Sequence, residues 1–188
     1  MKKLYSLLTI VFMTIAAMTM TSCDPDEEMA HNLWGVWQGN MYMQSSYNGR
    51  VYQSSYSVLA FDKDPYAYAQ GTGYWIDYYS NAPFDNYSSR IEWRVVNGEL
   101  QIYSIKEQRT YYIYNYTLNG RYFSGYIDDG GSSNGVYFEL QKTSSPNWSD
   151  YDWDGYDYND YYYGYNYAPA RSAAKGVKAE PVRSVRKN

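Results

Sequence analysis

Apolar and polar residues alternate between residues 33 and 142 with a period of two, the period of a strand. Ile91, Trp93 and Val95 alternate with Arg90, Glu92 and Arg94, and Val136, Phe138 and Leu140 alternate with Tyr137, Glu139 and Gln141. Leu100 and Ile102 share a face, as do Phe123, Gly125 and Ile127; Trp37, Met41 and Met43 share one with Gly35 and Gly39. Neighbouring side chains of a strand point to opposite sides, so this is the one-face-buried pattern of antiparallel sheets. Asn-Gly occurs four times, at 48–49, 97–98, 119–120 and 134–135. It favours tight hairpins because a type I′ turn needs positive φ at both central residues. These signals predict eight strands, over about 33–46, 51–61, 70–79, 90–96, 99–105, 110–118, 121–127 and 136–142. Tyrosine occupies both faces of the third and sixth, which leaves their phase open. Eight strands on short hairpins can close and abolish sheet edges. The expected fold is all-β: a small antiparallel eight-stranded up-and-down barrel with a disordered N-terminal tether and a disordered C-terminal tail.

The two flanks have their own patterns. Lys2 and Lys3 precede an apolar run from Leu4 to Met20, which has the layout of a secretory signal peptide and is short for a membrane span. It ends in Met20-Thr21-Ser22-Cys23, a small residue followed directly by the only cysteine. This resembles a bacterial lipobox, which implies cleavage before Cys23 and lipidation of its sulfur. Acyl chains bury roughly 0.8 kcal/mol per CH₂, enough for stable anchoring when several are attached. Asp24-Pro25-Asp26-Glu27-Glu28 then reads as a solvated tether, and resembles the surface-export signal of some Gram-negative lineages. The organisation expected is a signal peptide over 1–22, an acidic tether over 23–32, the barrel over 33–142 and a tail over 143–188. The tail begins with a Tyr/Asp/Asn/Gly tract, 151–167, without an aliphatic residue, and ends basic from Ala168 onward. The localisation expected is the cell envelope, anchored by lipid to the outer membrane and facing outward if the acidic signal is read.

Composition narrows the chemistry. A net charge of -4 and a pI of about 5.0 give no overall basic field for nucleic acid. One cysteine, Cys23, and one histidine, His31, leave no intramolecular disulfide and no Cys/His zinc cluster. Paired carboxylates of a glycosidase would need a spacing of roughly 5–9 Å, which nothing in the sequence imposes. Asp150-Tyr151-Asp152-Trp153-Asp154-Gly155 fits half of a calcium loop, but its twelfth position is Tyr161 where a bidentate Glu belongs. No catalytic residue, metal or cofactor is assigned, and the chain is read as a non-enzyme.

Gly35-Val36-Trp37 opens the first strand of this meander. With the lipobox, the short tether, Gly71-Thr72-Gly73-Tyr74-Trp75 and a final Tyr137-Phe138-Glu139-Leu140, it resembles the lipocalin-like lipoproteins of Gram-negative envelopes. The resemblance implies a barrel closed around Trp37. It departs in length, in lacking a C-terminal helix, and in showing no arginine to stack on that tryptophan. Two functions follow as alternatives. One is a non-catalytic barrel that holds a small apolar ligand or serves as an interaction scaffold. The other is a surface glycan-binding or adhesion protein working through exposed Tyr and Trp, with Trp34, Trp75, Trp93 and Asp77 as candidate ligand residues. An open interior of roughly 300 Å³ or more would favour the first as a carrier, whereas a filled interior moves the search to the outside.

Overall fold

The computed structural model describes residues 24–130, 135–151 and 180–186. Cys23, the leader, most of the Tyr/Asp tract and most of the basic tail lie outside the described residues.

The order of elements is α1 (Pro25–Leu33), β1 (Gly35–Asn40), β2 (Met43–Tyr47), β3 (Arg50–Gln53), β4 (Tyr56–Phe61), β5 (Gln70–Tyr78), β6 (Asn86–Val96), β7 (Glu99–Ser104), β8 (Arg109–Leu118), β9 (Tyr122–Asp128), β10 (Val136–Thr143) and β11 (Val182–Val185). Eight of the strands form a closed antiparallel barrel in the order β1-β10-β9-β8-β7-β6-β5-β4. The others form a separate three-stranded sheet, β11-β2-β3. The chain is all-β, as its alternation predicts.

The first two predicted strands each break in the middle, and the breaks create the small sheet. After Asn40 the backbone turns out of the barrel at Tyr42, whose φ is +53° and whose N–H donates to Asn40 Oδ1 at 2.8 Å. The chain re-enters at Ser54 and Ser55. The Ser54 N–H bonds Met43 in the small sheet, and the Ser55 N–H bonds Tyr78 in the barrel wall. Two Asn-Gly pairs form the predicted turns, with φ of +49° and +75° at Asn48 and Gly49, and +52° and +75° at Asn97 and Gly98. Asn119-Gly120 solves its turn differently: neither residue has positive φ, and Asn119 Oδ1 accepts from the N–H groups of Arg121 and Tyr122. Asn134 lies outside the described residues.

The acidic stretch expected as a disordered tether is a helix from Pro25 onward. Asp24 caps it by accepting the Asp26 N–H at 3.0 Å, Pro25 occupies the first turn, and Asp26, Glu27 and Glu28 sit at the positive end of the helix dipole. Met29, Ala30 and Leu33 bury one side against the barrel core. The Leu33 carbonyl accepts the indole N–H of Trp37 at 2.6 Å, and the Asp26 carboxylate accepts the N–H groups of Asn97 and Gly98 at 2.8 and 2.7 Å. These contacts place α1 over the barrel end that holds the β6–β7 turn. The small sheet lies at the opposite end, where Tyr79 bonds Ser45 and Phe84 packs against Tyr47 and Tyr52.

The first residues of the tail lie against the barrel. Val36, Val58, Ala60 and Ile76 form an apolar patch on the outside of β1, β4 and β5. The segment after β10 returns over it, stacking Trp148 on Tyr74 at 4.8 Å and packing Tyr151 against Tyr78. Without that cover the patch would be exposed apolar surface. Farther on, Val182–Val185 is a strand on β2, not part of a solvated tail.

Candidate functional site

The barrel's lumen is occupied by side chains. Trp37, Phe61, Trp75, Trp93, Tyr111, Phe123 and Phe138 point inward, each under 2% exposed. Trp37 meets Phe123 edge-on at 5.8 Å, Phe123 meets Phe138 at 5.0 Å, and Phe61 meets Trp93 at 5.8 Å. The open phases of the third and sixth predicted strands are thereby settled. In β5, Gly71, Gly73, Trp75 and Asp77 face in, and Tyr74 and Tyr78 face out over the covered patch. Gly73 is glycine for want of room: a Cβ there would stand 1.9 Å from the Ala60 carbonyl oxygen. In β8, Tyr111 and Ile113 face in until a bulge at Asn115, with φ +47°, shifts the register and turns Tyr116 inward onto Phe123.

Three of the four candidate ligand residues are therefore unavailable to an external ligand. Trp75, Trp93 and Asp77 are buried. The Trp93 indole N–H donates to the carbonyls of Asp62 and Thr72, and its ring fills the space over Gly71. Trp34 is half-buried at the α1 end, with the His31 ring 4.9 Å away and the Lys63 ammonium 4.5 Å over its face. The barrel-signature residues sit together: Gly35, at φ +118°, leaves space for the Lys142 side chain, whose ammonium lies 5.0 Å over Trp37.

What Trp75 and Asp77 do hold is Arg183 of β11. Its Nε donates to Asp77 Oδ2, Nη2 donates to the Trp75 and Tyr87 carbonyls at 3.2 and 3.1 Å, and Nη1 lies 3.3 Å from Glu107. The guanidinium lies between two rings, 4.3 Å from the centre of Trp75 and 4.8 Å from Tyr87. The other Asp77 oxygen accepts from the Ser57 hydroxyl and the Trp75 indole N–H. Burial pushes the Asp77 carboxyl above the usual carboxylate range, against the pull of Arg183, Ser57 and Trp75. Burial also works against the guanidinium's charge, but Asp77 and Glu107 outweigh it and hold Arg183 above its ordinary pKa. The Tyr111 ring walls the pocket edge-on to Trp75 at 4.8 Å, and its buried hydroxyl has no hydrogen-bond partner among the described residues.

The outer surface carries a different kind of site. A groove of about 940 Å³ runs across β1, β10 and β9. Its outward-facing lining includes Gln38, Asn40, Tyr122, Tyr137, Glu139 and Gln141. Tyr122 and Tyr137 are 55% and 44% exposed, and the Tyr137 hydroxyl donates to Glu139 at 3.0 Å. Tyr126 and Tyr114 continue the line of rings across the sheet, at 5.5 Å from Tyr137 to Tyr126 and 6.2 Å from Tyr126 to Tyr114. Among the described residues no three His, Cys, Asp or Glu side chains gather as metal ligands, and Asp150 of the half calcium loop is tied to Asn147.

Sequence reasoning missed Tyr122, Tyr137 and Arg183 as site residues. The tyrosines were legible as outward positions of alternating strands. For Arg183 the one local signal was Val-Arg-Ser-Val, a short β-prone alternation after Pro181. No family model matches this sequence, and no curated protein matches it.

Proposed function

We propose that this chain is a lipid-anchored envelope lipoprotein with a lipocalin-like, non-catalytic barrel, and that it binds glycan on its outer surface. One observation carries the reading: the lumen is filled by aromatic side chains, while exposed tyrosine rings line an exterior groove beside amides and a carboxylate. Flat rings stack on the apolar faces of sugars, and Gln38, Asn40, Glu139 and Gln141 offer donors and acceptors to their hydroxyls. A small apolar ligand would instead need interior space that Trp37, Trp75 and Phe138 occupy. The lipocalin-like build is supported by Lys142, which sits on Trp37 as the missing arginine would. On this reading Cys23 precedes the docked helix α1 by a single residue, Asp24, so the barrel stands with its α1 end toward the membrane.

Two experiments test it. A glycan array compares the wild type with a Tyr122→Ala/Tyr137→Ala variant. Binding to a defined glycan set that falls at least tenfold in the variant supports the reading, and identical or uniformly flat profiles overturn it. For the anchor, Cys23→Ala leaves an uncleaved precursor that no longer fractionates with membranes; mature-sized, membrane-bound variant protein refutes lipidation.

A further inference from the structure

We infer that the barrel end lined by Trp75, Asp77, Tyr87 and Glu107 is a receptor for an extended arginine-bearing strand, and that β11 of one copy is taken up by a second copy of this chain. The inference does not rest on the glycan reading.

The receptor is complete without β11. Every group that holds Arg183 belongs to the barrel wall or its turns, between residues 75 and 107. Two aromatic faces, two carboxylates and two backbone carbonyls converge there on one guanidinium. Such a planar, forked arrangement selects arginine over lysine, because only the guanidinium offers in-plane donors together with a stacking face. The edge of β2 supplies the second half of the site. It pairs with Val182, Arg183, Ser184 and Val185 through the backbone, as added strands do at open sheet edges.

The ligand strand is short, and one sheet edge and one buried arginine hold it. It is four residues long, pairs among the described residues with β2, and buries the Arg183 and Val185 side chains. Its connection to the barrel is the stretch 152–179, 28 residues. At most ~3.6 Å per residue, a chain of that length spans up to about 100 Å. The longest barrel strand, β6 with 11 residues, spans about 36 Å at ~3.3 Å per residue. A connection of that many residues is long enough to reach a neighbouring barrel. The receptor cannot tell which chain supplies the arginine, so uptake in trans competes with uptake in cis by concentration alone. Linkage within one chain sets the cis term at an effective concentration on the order of millimolar.

The test uses register. Ser184 of β11 lies opposite Gln44 of β2, and their side chains meet at 3.2 Å. Two full-length chains are prepared, one with Ser184→Cys and one with Gln44→Cys, both with Cys23→Ser so that no other thiol is present. They are mixed at about 0.5 mM, near the effective cis concentration, and oxidised mildly. The expected product is a disulfide-linked pair of the two chains that grows with total concentration. It falls severalfold when the Ser184→Cys chain also carries Arg183→Lys. Monomer alone in the mixture, with ring closure within the Gln44→Cys/Ser184→Cys single chain, would confine β11 to its own barrel and overturn the inference. Failure of both cross-links would overturn the register and with it the site.

Discussion

Replacing Arg183 with Met removes the cation and keeps most of the side chain's length. Asp77 then remains as a fully buried carboxylate in the wall of the barrel, where it cannot swing into water, and Glu107 remains beside it as a second negative charge. Removing one partner of a buried pair typically costs about 3–5 kcal/mol, because the other is left uncompensated. Asp77 has one escape, which is to take up a proton. Burial already raises its pKa, and Arg183 is the largest influence lowering it, so the variant's carboxyl rises further. A carboxyl whose folded pKa exceeds its unfolded value contributes stability at low pH and loses it as pH rises through the folded value. The variant's deficit should therefore widen as pH rises above the usual carboxylate range, by up to about 1.4 kcal/mol per pH unit, and be larger at pH 7.5 than at pH 5. The assay is urea unfolding followed by tryptophan fluorescence, with m-values compared to confirm that the same surface unfolds. Glu107→Gln in the same background separates the two carboxylates: it leaves the pH dependence in place if Asp77 carries it. An Arg183→Met deficit below about 1 kcal/mol at pH 7.5, or one that is equal at both pH values, would refute the argument that Arg183 balances Asp77.

Other outcomes follow from single contacts. Gly73→Val should lower stability by more than about 3 kcal/mol, since its Cβ would meet a strand carbonyl, whereas Gly120→Ala, with open space and no positive φ, should be neutral or slightly stabilising in the same thermal melt. Asp26→Ala should cost about 1–2 kcal/mol by freeing the Asn97 and Gly98 N–H groups, and amide exchange at those two positions should quicken first. Burial pushes the phenols of Tyr79 and Tyr111 above their ordinary pKa, so both resist ionisation when folded and ionise when unfolded. Stability is then level up to about pH 10 and falls above it, by up to about 1.4 kcal/mol per pH unit for each phenol. Melts between pH 8 and 12 that stay flat would count against this. Tyr111→Phe should be neutral or gain up to about 1 kcal/mol, because it removes a buried hydroxyl without a partner.

The barrel was legible because each of its rules is local. Ile91-Glu92-Trp93-Arg94-Val95 declares its two faces within five residues, and all three apolar members are buried. Asn97-Gly98 declares its turn within two. Where legibility failed, a distant group had decided the outcome. Strand 33–46 breaks at Met41-Tyr42, neither a turn former by type, and beyond the break Met43 and Ser45 are buried. Trp75 and Asp77, two of the candidate glycan residues, share the inward face of β5. What that face meets is a guanidinium 106 positions away in the chain. An arginine in a basic tail is solvated by default, since burying it alone is prohibitive. It is buried here because two carboxylates, two rings and two carbonyls of the barrel converge on it.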